Sequence, residues 1–303
     1  MAAVRGAGFS SWVFDDSRFE QLRQELDLAA AHGMDFSEIP IFVFDVIAGG
    51  RVLPQQLRRL KEATAGRGLG YTAHGPLAVN FMAPREHLDR HLAVAKATIE
   101  VAAGIGAVHL VLHTGNMPGQ DQAAIEEAYA VQRDAFASLG EIAAAHSIII
   151  AVENIPPQEP GWHTGLPSRV AREIEAIGHP NVRGCLDFSH AAITCAAHGV
   201  DFIAEAKALA RVTRHLHVHD SFGDPLRMTT YSRSERVAFG LGDLHLPLGW
   251  GNLPWPELMA ACEFEQDVIF NMELPRPYRP ALQDSLRAMR EMIETYRARR
   301  SNA

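Results

Sequence analysis

Eight times along the 303 residues, a short apolar or β-branched run gives way to an Ala- and Leu-rich segment of helical period. The runs are VRGAGFS (4–10), FSEIPIFVF (36–44), LGYTAHG (69–75), VHLVLHTG (108–115), SIIIAVEN (147–154), VRGCLDF (182–188), VTRHLHVHD (212–220) and VIFNMEL (268–274). Helical patterns follow at about 17–32, 54–65, 84–104, 123–146, 169–178, 201–210, 255–262 and 280–300. SIIIAVEN is too apolar for a half-exposed strand, which points to a parallel sheet covered on both faces. Eight strand–helix units predict a closed (β/α)8 TIM barrel, with its chemistry at the C-terminal ends of the strands. A doubly wound open sheet is the runner-up, but no Gly-rich fingerprint follows the first strand. No linker or low-complexity segment interrupts residues 1–303, so one domain is expected, with a polar insertion at 221–247.

The polar residues fall where such a barrel would need them. Strand three ends in His74, strand four in His113, strand five in Glu153 and strand six in Asp187, with His190 just beyond. Strand seven ends in His217, the next loop carries Asp243 and His245 (GDLHLPLGWGN), and strand eight ends in Glu273. Nine such groups at one mouth would repel or desolvate one another unless cations sat between them. Imidazole and carboxylate without thiolate suit zinc, manganese or iron(II). His219 shares strand parity with His217 and is the alternative ligand. Other histidines have plainer readings. His32, His146, His179 and His198 stand at helix C-termini, where an imidazolium complements the dipole. His87 and His91 belong to a solvated helix face, and His109 and His215 to the barrel interior.

The chain resembles the xylose isomerase-like barrel superfamily, which includes endonuclease IV and many sugar (phosphate) isomerases and epimerases. The likeness runs from AHGPL (73–77) to MELP (272–275). The family's seventh-strand pattern, a His three residues before an acid, is matched by His217 and Asp220 and sets the register. In the isomerase and epimerase branch the resemblance implies one metal on Glu153, Asp187, His217 and Glu273. In the endonuclease IV branch it implies three zinc ions. The first takes His74, His113 and Glu153; the second takes bridging Glu153 with Asp187, His217 and Glu273; the third takes His190, Asp243 and His245. The DLHLPLGWGN stretch favours the second branch. The DNA-inserting positions of that branch read FDVIAGGRVL and LAVNFM here, without its aromatic or a basic run, which argues against abasic DNA as substrate. The epimerase branch's substrate-binding Arg corresponds to Gly223, with Arg227 a candidate replacement, while Glu159 stands six residues after Glu153, where some epimerases keep a substrate-binding Glu.

The expected function is therefore a metal-dependent phosphoester hydrolase with an endonuclease IV-like three-metal site, acting on a small or sugar-containing phosphoester. Glu153 would bridge two ions and Glu273 would position or deprotonate the attacking water. The alternative is a sugar or sugar-phosphate isomerase or epimerase that uses one divalent metal and Glu153 and Glu273 as acid and base. A non-catalytic metal-stabilised barrel is a third reading. The loops 156–167 and 221–247 are expected to line the pocket, with Trp162, Tyr231 and Trp250 available for stacking on a sugar or base. A net charge of −8 and a pI of about 6.0 offer no electrostatic footprint for nucleic acid. Cys185, Cys195 and Cys262 are too few for a disulfide framework, and no membrane span or apolar leader is visible, so a cytoplasmic setting is expected. An oligomer is compatible with the sequence.

Overall fold

The structure, a computed structural model, describes residues 4–14, 18–119, 121–159, 161–265 and 267–301. Eight strands close into a parallel barrel: β1 (Val4–Ser10), β2 (Phe36–Pro40), β3 (Gly70–His74), β4 (Ala107–His113), β5 (Ile149–Glu153), β6 (Val182–Asp187), β7 (Thr213–Val218) and β8 (Val268–Met272). Neighbours follow chain order, and β1 pairs with β8 to close the cylinder. The helices are α1 (Arg18–Ala31), α2 (Pro54–Thr64), α3 (Arg85–Gly104), α4 (Gln122–Ala145), α5 (Pro167–Ile177), α6 (Phe188–His198), α7 (Phe202–Ala210), α8 (Arg233–Phe239), α9 (Trp255–Ala261) and α10 (Leu282–Ser301). The expected (β/α)8 barrel is what forms.

Local chemistry sets the boundaries. Pro54 and Pro167 open α2 and α5, where a missing N–H costs nothing. Asp121 caps α4 by accepting from Ala123 N at 3.0 Å, and Asp201 caps α7 through Ala204 N at 2.7 Å. Gly178 and Gly199 take left-handed conformations that end α5 and α6. Inside the cylinder, Val111, Ala151 and Cys185 form a small apolar cluster one strand step below the mouth. All three cysteines are buried and free, as expected.

Several elements differ from the sequence reading. The second strand stops at Pro40 and becomes a 3-10 turn over Ile41–Val43, because an unbroken apolar run does not distinguish strand from tight turn. Helix α6 was not anticipated. It starts directly from β6 with no loop, since Asp187 both ends the strand and caps the helix, accepting from His190 N at 2.8 Å. The polar insertion contains the short helix α8, and two ribbons pair 47–48 with 51–52 and 116–118 with 162–164.

Candidate active site

Parallel strands present alternate side chains to the barrel interior, so residues at like positions of successive strands meet at one mouth. The nine residues singled out from the sequence do meet there. Glu153 is the hub. Its Oε2 lies 3.2 Å from His74 Nε2 and 3.4 Å from His113 Nε2, and its Oε1 lies 3.1 Å from His217 Nδ1 and 3.2 Å from His190 Nδ1. The same His217 Nδ1 is 3.5 Å from Glu273 Oε2 and 3.8 Å from Asp187 Oδ2. On the other flank, Asp243 Oδ2 is 3.0 Å from His245 Nδ1 and 3.4 Å from His190 Nε2, and His245 Nε2 is 3.2 Å from Glu273 Oε2.

The choice between His217 and His219 dissolves, because both rings reach the cluster. His219 Nε2 is 3.0 Å from Asp187 Oδ2, and its ring stacks on His245 at 4.0 Å between centroids. Equal parity along β7 turns both side chains inward. Asp187 divides its work: Oδ1 caps α6 while Oδ2 faces His219.

Glu38, on β2, escaped the sequence reading. It is buried beneath the mouth, with Oε1 3.3 Å from His217 Nε2 and Oε2 3.0 Å from His215 Nε2, and it accepts from Ser10 Oγ at 3.1 Å. The available signal was a single charged residue in the FSEIP strand. His215 in turn sits 3.3 Å from His109 through their Nδ1 atoms, deep in the interior as expected.

The electrostatics follow from burial and pairing. Burial alone would lift the Glu153 carboxyl, but the His217 and His113 rings outweigh it and hold the group well below the ordinary carboxylate range. Glu38 behaves alike, with His217 and His215 outweighing burial. Burial pushes the His113 ring down to about 4, despite Glu153 beside it. His245 stands at about 10, because Asp243 outweighs the opposing effect of burial. His74 Nδ1 lies 2.9 Å from the Gly75 carbonyl, which can only accept, so that nitrogen carries its proton and Nε2 is the atom left to meet Glu153 or a ligand. His245 also holds a left-handed backbone (φ 47°), a conformation that a non-glycine residue keeps only where its surroundings enforce it.

The enforcing contacts come from Asp220. Its carboxylate accepts from Ser221 N at 3.0 Å, Gly249 N at 2.9 Å and Gly251 N at 3.0 Å, and its backbone exchanges two 2.8 Å bonds with Leu246. The acid that set the β7 register thus ties the Asp243–His245 loop to the strand.

The mouth opens into a cavity of about 970 Å³. The loops expected to line it do so: Pro156, Glu159 and Trp162 come from one, and Leu226, Arg236 and Asp243 from the other. Tyr231 and Trp250 lie outside the lining, exposed at 89 % and 56 %, and Arg227 is not among the lining residues either. Arg236, on α8, supplies the lining's guanidinium instead. His198 also reaches the wall.

Groups able to hold a cation include Glu153, Asp187 and His190; His74, Glu153 and His217; Glu38, His217 and Glu273; and His219, His245 and Glu273. The donor set fits a divalent cation. Glu38, Glu153, Asp187 and Glu273 are 8 % exposed or less, and the partners described above are imidazoles, hydroxyls and amides rather than permanent cations. No described helix is long and apolar enough to cross a membrane.

The sequence matches the family model described as xylose isomerase-like TIM barrel over residues 26–294. No curated protein matches it. Similar solved structures include a D-tagatose 3-epimerase-like protein, 19 % identical, covering 97 % of this chain and 99 % of that one, with a TM-score of 0.71. The IOLI protein with a bound zinc atom is 17 % identical, with 96 % and 99 % covered and a TM-score of 0.69. The 3-keto-D-glucoside 4-epimerase YcjR from E. coli is 16 % identical, with 95 % and 99 % covered and a TM-score of 0.64. The expectation of a metal-dependent phosphoester hydrolase is corrected accordingly. Structures of this shape include sugar epimerases.

Proposed function

Because this chain belongs to the xylose isomerase-like TIM barrel family, we propose that it is a metal-dependent epimerase or isomerase of a keto sugar, moving a proton at the carbon beside a carbonyl. The observation that carries this reading is the placement of two buried carboxylates, Glu153 on β5 and Glu273 just past β8, on the same imidazole nitrogen, 3.1 and 3.5 Å away. One divalent cation would be held by Glu153, Asp187, His217 and Glu273; zinc, bound in a similar barrel, is one candidate, with manganese and iron as others. When bound, it polarises a substrate carbonyl and so acidifies the neighbouring C–H.

The chain's own residues do the rest. One of Glu153 and Glu273 removes the proton and is itself protonated, leaving the substrate as an enolate. The other, entering the step as the carboxylic acid, returns a proton, so the overall change is redox-neutral. Delivery on the opposite face of the same carbon gives an epimer; delivery to the former carbonyl carbon, with the adjacent hydroxyl proton passing to the former carbonyl oxygen, gives an isomer. His74, His113, His190 and His245 then hold substrate hydroxyls, with Glu159 and Arg236 reaching in from the two loops. Glu38 orients His217 from behind.

The test is chromatography of a ketohexose and 3-keto-sugar panel incubated with the metal-loaded protein. A second sugar is expected to form, with the rate falling about 10³-fold in Glu153→Gln and Glu273→Gln. Full activity in both variants, or phosphate release from phosphoesters with no sugar interconversion, would contradict the proposal.

A further inference from the structure

The cavity is much larger than its polar floor requires. A free monosaccharide displaces on the order of 200 Å³, taking water at ~30 Å³ as the measure. The cavity holds about 970 Å³, near the upper end of what a drug-sized ligand fills. Its two halves also differ in chemistry. The floor is the carboxylate and imidazole cluster. The wall is apolar and partly aromatic, formed by Trp12, Phe14, Phe42, Leu77, Trp162 and Leu226 from the segments that follow β1, β2, β3, β5 and β7.

Phe14, Phe42, Leu77 and Leu226 are 52, 42, 51 and 54 % exposed, although each lines the cavity. Contiguous exposed apolar surface of this kind marks a surface that something covers. The wall is continuous with the reacting floor: the Phe42 ring meets His74 edge-on at 5.6 Å, and the Trp12 ring meets His245 edge-on at 5.5 Å. A group seated on the wall is therefore within one ligand's reach of Glu153 and Glu273. The named wall side chains are all uncharged, which suits an uncharged group seated against them.

We infer that the substrate is a keto sugar carrying an uncharged aromatic substituent, as in an aryl glycoside, with the sugar on the floor and the aryl group against the Phe42–Trp162 wall. This rests on the epimerase or isomerase reading for the floor, whereas the wall is argued from its own chemistry. Aromatic and apolar side chains gain by covering a flat ring, both from area removed from water and from ring–ring geometry.

Calorimetric titration of the metal-loaded protein with matched phenyl and methyl β-glycosides of D-glucose, D-galactose and D-xylose tests it. The phenyl member of at least one pair is expected to bind ten times more tightly or better. That ratio is expected to fall several-fold in both Phe42→Ala and Trp162→Ala, with circular dichroism confirming that the variants are folded. Equal affinities within every pair, absence of phenyl-glycoside binding, or a ratio untouched by both substitutions would overturn the inference. Sugar interconversion without aryl preference would sink this inference and leave the epimerase reading standing. An aryl preference without interconversion of any keto sugar, phenyl 3-keto-glycosides included, would sink the epimerase reading and the keto-sugar half of this inference, and leave only the aryl-binding wall standing.

Discussion

Glu38 shows what a single side chain contributes beneath a reacting surface. It lies at the cavity floor, where it faces the rear nitrogens of His215 and His217. A carboxylate behind a ligating imidazole fixes the ring and raises its basicity. Glu38→Ala is expected to weaken divalent-metal affinity 10- to 100-fold, read by chelator competition. An unchanged affinity would show that His217 needs no such support. His74, His113, Glu153, Asp187, His217 and Glu273 were legible from sequence because each closes an apolar run, a pattern that repeats at the same end of successive units. Glu38 was not, because it stands two residues before its strand's end, inside an apolar stretch with nothing to separate it from a structural acid. His217 and His219 were not separable either, since equal parity sends both inward and only tertiary packing shows that both arrive.

Among elements, the 221–252 segment is the most consequential. Asp220 gathers the backbone N–H groups of Ser221, Gly249 and Gly251, and Gly251 packs so closely that an added Cβ would stand 2.6 Å from Asp220 Oδ1. Asp220→Ala would leave several donors without their acceptor, at a cost of about 1–3 kcal/mol, measurable as a lower urea midpoint. Gly251→Ala is expected to displace the loop carrying Asp243 and His245 and to cut activity more than stability. A variant with wild-type kinetics would mean that the loop does not position the site. The sequence made this segment visible as a polar interruption but not its helix, because α8 spans only seven residues and buries none of them. Helix α6 was hidden for a different reason: one residue, Asp187, ends a strand and caps a helix with no turn residues between.

At the scale of the whole molecule, eight strand–helix units and their order were readable because short apolar runs and segments of helical period alternate along most of the chain. What the assembled barrel does was not readable to the same depth. The same inward His, Asp and Glu residues satisfy a three-metal hydrolase or a one-metal epimerase, and the balance of charge and apolar surface in the cavity exists only after folding. Gathering the buried carboxylates of Glu38, Glu153, Asp187 and Glu273 would couple stability to a bound cation. Removing metal with a chelator is expected to lower the Tm. Restoring a divalent ion at 100 times its Kd should return about 2.7 kcal/mol. A Tm indifferent to chelator and metal would contradict a cation at the barrel mouth.

In the proposed reaction, Glu153 and Glu273 exchange a proton at a carbon beside a carbonyl. The most direct measurement is NMR of a converted keto sugar after turnover by the metal-loaded protein in D2O. Deuterium in the product at the carbon that receives the proton, absent from controls with Glu273→Gln, is the predicted result. Conversion with full retention of the original hydrogen, or deuterium uptake that survives loss of both carboxylates, would contradict it.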